Sequence, residues 1–99
     1  MTVRNPDHCS SHPGALLREN IIPATRWPIT KIASLLGISR QHLHDILDEK
    51  KPVSAEGAVR LAKMFRTDVL FWIRMQGAYD AWHATRSVDV SAVPRFVAD

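Results

Sequence analysis

The sequence predicts an all-α fold: five helices, preceded by a short N-terminal arm and followed by a short C-terminal tail. Three observations carry that reading. Apolar residues recur at three- and four-residue spacing through residues 29–82, the period of a helix with a buried face. Pro13, Pro28, Gly37, Ser39, Ser54 and Asp68 fall between those stretches as start and stop signals. No alternating pattern competes before residues 88–97, where Val88, Val90 and Val93 suit a short extended tail or a turn.

Each element has a local reason. Residues 1–11 are polar and read as a flexible arm. Helix 1 opens at Pro13, since a proline in the first turn loses no hydrogen bond that the helix needs. Ala15, Leu16 and Ile21 form its apolar side, and it is expected to end before Pro23, because proline disfavours helical angles in the preceding residue. Pro28 restarts the helical pattern, with Ile29, Ile32, Ala33 and Leu36 inward. Gly37 stops helix 2, as glycine reaches left-handed angles without strain. Ser39 caps helix 3, residues 40–47, whose inward residues are Leu43, Ile46 and Leu47. After a loop bearing Lys50, Lys51 and Pro52, Ser54 caps helix 4, with Ala58, Leu61, Ala62 and Phe65 on one stripe.

Asp68 caps helix 5, expected to end near Ala84. Phe71, Trp72, Met75, Tyr79 and Trp82 form one apolar stripe; Leu70, Ile73, Gly77 and Ala81 form a second. A helix that is apolar on two sides must be covered on two sides. Leu70, Phe71, Trp72, Met75, Tyr79 and Trp82 are therefore expected to serve the core and a dimer contact. Residues 12–85 then make one domain, with 1–11 as arm and 86–99 as tail.

Residues 29–47 form the informative unit, a helix-turn-helix. Ala33 is small where the second helix crosses, and Gly37 permits the sharp turn. Ile32, Leu36, Ile38, Leu43 and Ile46 lock the pair together at a fixed angle. In such a pair the second helix projects into a DNA major groove. Ser39, Arg40, Gln41 and His44 on its outward face are the candidate base contacts, since arginine suits guanine and glutamine suits adenine. Thr30, Lys31, Lys50 and Lys51 flank that face as candidate backbone phosphate contacts.

The composition permits this reading without establishing it. A chain of 99 residues suits one compact domain, and a net charge of +3 is compatible with a nucleic-acid partner. The charge is not blocky, because Asp45, Asp48 and Glu49 interrupt the basic residues. No apolar run approaches the roughly 18 residues of a membrane span. The lone Cys9 and a polar N-terminus without a signal-peptide pattern point to the cytoplasm.

Other chemistries find little footing. His42 and His44 are two apart on one helix, so their side chains diverge and cannot share a metal ion. His8, Cys9 and His12 lack a fourth ligand nearby in sequence, so no metal or other cofactor is expected. Glu19, Asp45 and Glu56 are scattered, and there is no glycine-rich phosphate cradle or serine elbow, so no enzymatic activity is expected.

From His12 to Ala84 the chain resembles the HigA-type antitoxins, in the helix-turn-helix group that contains the lambda-repressor-like (XRE) proteins. The resemblance rests on His12-Pro13-Gly14, on Ile32-Ala33 with Leu36-Gly37-Ile38, and on Ser54-Ala55 with Ala58 and Arg60-Leu61-Ala62. Phe71-Trp72-Ile73-Arg74-Met75-Gln76 followed by Ala78-Tyr79-Asp80 is its most specific part, and Val88-Asp89-Val90-Ser91 resembles some tails of these proteins. It implies a homodimer that binds a palindromic operator in double-stranded DNA and represses its own operon. It also implies neutralisation of a co-encoded HigB/RelE-like toxin, an mRNA endonuclease. Pro28 and Ile29 stand where the family often carries serine and glutamine, which moves weight onto Thr30 and helix 3. The alternative is a stand-alone helix-turn-helix regulator without a toxin.

Overall fold

A computed structural model describes residues 9–98. Most of the expected flexible arm, residues 1–8, lies outside the described residues. Five helices follow one another, with no strand among the described residues. We label them α1 (residues 13–25), α2 (Ile29–Leu36), α3 (Arg40–Leu47), α4 (Ala55–Phe65) and α5 (Val69–Ser87).

Helix α1 departs from expectation. It runs as an α-helical turn Pro13–Leu16, a π-helical stretch Leu17–Ile21 and a second α-helical turn Ile22–Thr25. Pro23 therefore lies inside the helix, and Ile22 before it keeps helical angles of φ −65° and ψ −45°. The π turn is the physical reason. Its wider ring, in which the Ile22 N–H donates to the Leu17 carbonyl, lies just ahead of the proline and relieves the crowding that a proline causes in a regular helix. The same widening alters the buried face. Leu17 and Ile22 are buried, whereas the expected Ala15, Leu16 and Ile21 are half-buried.

The remaining boundaries follow their caps. Ser39 Oγ accepts the His42 N–H at 3.0 Å, and Ser54 Oγ accepts the Gly57 N–H at 3.1 Å. Asp68 Oδ1 accepts the Leu70 N–H at 3.2 Å. Gly37, at φ 75°, closes α2, where the Ile38 N–H donates to the Ala33 carbonyl. Pro28 acts as N-cap of α2, one position earlier than a first-turn proline. Arg26, Glu49 and Arg66 take left-handed angles at the ends of α1, α3 and α4, positions where glycine is commoner.

The core gathers Leu17 and Ile22 of α1 with Ile32, Ala33 and Leu36 of α2 and Leu43, Ile46 and Leu47 of α3. Val53, then Ala58, Leu61 and Ala62 of α4, and Trp72 of α5 complete it. Helix α5 packs on α4 and on the start of α1. It continues to Ser87, past the expected end near Ala84. No helix among the described residues is long and apolar enough to cross a membrane.

Candidate nucleic-acid interface

The orientation of α3 is fixed from three sides. Its start is set by Gly37 and the Ser39 cap. On its buried side, Gly14 of α1 lies so near the Ile46 carbonyl that a side chain at position 14 would overlap that oxygen. At its end, the Arg18 guanidinium donates to the Leu47 carbonyl and pairs with Glu49 at 3.4 Å. A cation on the last carbonyls satisfies orphan acceptors and matches the helix dipole. Arg60 does the same for α2, donating to the Leu36 carbonyl at 2.9 Å while pairing with Glu56 at 3.0 Å.

On the opposite side of α3, Ser39, Arg40, Gln41 and His44 are all exposed, so the first turns present one polar strip. His42 is half-buried at the edge of the helix pair. Thr30 is exposed in the first turn of α2. Lys31, beside it, places its ammonium 4.3 Å from the Trp27 ring centroid. Lys50 and Lys51 are exposed in the turn after α3, and their backbone N–H groups donate to the Asp45 carbonyl at 2.8 and 3.2 Å.

Asp45 is the residue that sequence reasoning overlooked. Its Oδ1 accepts from Gln41 Nε2 at 2.9 Å and its Oδ2 pairs with Lys51 Nζ at 3.4 Å. The Gln41 hydrogen bond, with Lys51 alongside, holds its carboxyl below the usual carboxylate range. The other two scattered acids are also engaged, Glu19 with Arg18 and Glu56 with Arg60. The spacing of Gln41 and Asp45, four apart on one helix, is the signal that identifies the pair.

The residues on α5 divide. Trp72 is fully buried and its Nε1 donates to Thr67 Oγ1 at 2.7 Å. Tyr79 meets the buried His12 ring edge-on at 4.8 Å, and Gln76 Oε1 accepts the Val53 N–H at 2.8 Å while its amide donates to Asp80 at 2.9 Å. The stretch from Trp72 to Asp80 thus ties the N-terminus of α1 and the loop before α4 to one helix. Met75 and Trp82 are half-buried, and Arg86 lies over the Trp82 ring. Leu70 and Ile73 of the second stripe are 46 and 38% exposed, as is Phe71 of the first at 44%, so the second stripe and the start of the first face outward on this chain. Among the described residues, no cluster of three His, Cys, Asp or Glu side chains could hold a metal ion.

A five-helix body that fixes one short helix at both ends and exposes its polar face defines a helix-turn-helix protein of the lambda-repressor-like class. The chain belongs to the HigA antitoxin family of that class. A HigA-family addiction-module antidote protein from Coxiella burnetii is 32% identical, with a TM-score of 0.73 over 80% of this chain and 86% of that one. Antitoxin GraA in complex with its operator is 30% identical, with a TM-score of 0.82 over 98% of this chain and all of that one. The uncharacterised helix-turn-helix transcriptional regulator YbaQ of Escherichia coli is 30% identical over 77% of this chain and 67% of its own length. The chain is 33% identical over 70% of its length to virulence-associated protein I of Dichelobacter nodosus, and spans 64% of that relative. No family model matches the chain.

Proposed function

We propose that the chain is a sequence-specific DNA-binding antitoxin that represses its own operon and neutralises a co-encoded HigB/RelE-like mRNA endonuclease. The observation that carries the DNA reading is the exposed strip Ser39, Arg40, Gln41 and His44 on a helix held rigidly by Gly14, Arg18 and Gly37. Preorganised donors and acceptors on a helix of this pitch match base edges in a major groove. Thr30 and Lys31, exposed at the start of α2, and Lys50 and Lys51, exposed after α3, would supply the phosphate contacts. Support comes from a relative whose structure contains its operator, and from Pseudomonas aeruginosa antitoxin HigA with the higBA promoter.

The active species is a homodimer on a palindromic operator. The radius of gyration, 16.7 Å, exceeds the roughly 13 Å of a compact domain this size, because the end of α5 and the tail, exposed throughout residues 83–98, extend from the body. Leu70, Phe71 and Ile73 are uncovered on the outer side of the first turns of α5, and a second copy would bury them. Toxin neutralisation rests on the family membership. A stand-alone regulator is the second reading, favoured by the relatives named as transcriptional regulators.

Two assays separate these. Fluorescence anisotropy with the DNA upstream of the gene tests DNA binding, and absence of binding at low salt would overturn it. Co-expression with the adjacent small reading frame tests the antitoxin role: rescue of growth supports it, and a neighbour that is harmless alone leaves the stand-alone regulator.

A further inference from the structure

We infer that Asp45 is a specificity-setting residue of α3, acting by positioning Gln41 so that it reads adenine. The inference deepens the DNA-binding reading and rests on it. An ionised carboxylate only accepts hydrogen bonds, so the amide nitrogen of Gln41, and not its oxygen, must face Asp45 Oδ1 at 2.9 Å. That contact consumes one of the two N–H groups. It leaves Gln41 Oε1 and the second N–H free, and these are the acceptor and donor that match N6 and N7 of adenine. Without Asp45 the amide turns freely and also presents the reversed pair, which matches no single base edge so well.

The placement of Asp45 suits this role. Its side chain is only 16% exposed, recessed behind the exposed Gln41, so it supports the reading residue without meeting the groove first. Its other oxygen holds the Lys51 ammonium, and its backbone carbonyl takes the N–H groups of Lys50 and Lys51. One residue therefore sets the geometry of a base contact and of two flanking phosphate contacts. A negative charge beneath a DNA-facing helix weakens indiscriminate phosphate binding, so its presence favours selectivity over affinity.

The test is selection from a pool of randomised 30-base-pair duplexes with the full-length wild type, Asp45→Ala, Gln41→Ala and the double variant, followed by sequencing. The wild type is expected to enrich a motif with an adenine favoured about tenfold at one position of each half-site, the scale of one bidentate contact. Asp45→Ala and Gln41→Ala should lose that preference alike, with other positions of the motif kept, and the double variant should lose no more than either. Should Asp45→Ala fold poorly, Asp45→Asn serves, since its amide offers Gln41 either edge and relaxes the same position. An Asp45 variant that keeps the full adenine preference overturns the inference while leaving DNA reading intact. A wild type that enriches no motif overturns the DNA reading itself.

Discussion

Gly14 rests directly against the carbonyl oxygen of Ile46, and this contact sets how closely α1 approaches α3. Any side chain at position 14 must move one of the two helices, because the obstacle is backbone rather than a flexible side chain. The helix that presents Arg40 and Gln41 is thus placed partly by a residue with no side chain.

Gly14→Ala is expected to destabilise the fold by about 1–3 kcal/mol, the range for inserting a methyl where no space exists. Urea denaturation checks this. A variant of unchanged stability would mean that the two helices separate at little cost.

Gln76→Leu should cost about 1–3 kcal/mol, because the buried N–H of Val53 loses its acceptor. Asp80→Ala, which leaves the Val53 bond in place, should cost less. Comparing the two denaturation midpoints measures how much of this α5 stretch acts through the loop before α4.

His12 gives the fold a pH dependence. Burial holds its pKa below the ordinary value of about 6.5, and Nδ1 accepts the Gly14 N–H at 2.9 Å only when unprotonated. The unfolded chain therefore binds the proton more readily than the fold does. Stability from this group is complete above about pH 6.5, declines as pH falls through the lowered folded pKa, and levels off below it. His12→Asn keeps a capping side chain without that titration, so its stability should vary less between pH 4 and 7 in the same denaturation assay.

Arg66→Gly should stabilise the protein by about 1 kcal/mol, since Arg66 ends α4 at φ 54° where a Cβ is unfavourable. For a domain of this size that corresponds to a melting temperature higher by about 4–8 °C. Calorimetry on the single variant decides it.

Much of this architecture is legible in the sequence, because its signals are local. Ser39, Ser54 and Asp68 cap the helices that their positions announce, and Gly37 closes α2. The first helix is misread because Pro23 looks like a terminus; whether a proline ends a helix or is absorbed depends on the turn before it, and nothing at residues 17–21 marks a π turn. That same turn buries Leu17 in place of Leu16 and Ile21. Arg18 and Arg60 join helices 29 and 24 residues away, so their capping roles are invisible until the chain is folded. Asp45 is different: its spacing from Gln41 displays the pair, but an acid on a basic face is easily taken for mere solvation.

Whether the outward face of α3 reads DNA is decided at Arg40. Binding of wild type and Arg40→Ala is to be titrated by anisotropy on the DNA upstream of the gene and on a scrambled duplex of equal length and composition, at one salt concentration. A base contact predicts a loss of about 1–3 kcal/mol on the upstream DNA, with far less change on the scrambled duplex. An equal loss on both duplexes would contradict base reading by Arg40, and a wild type that does not distinguish them would contradict sequence-specific recognition by α3.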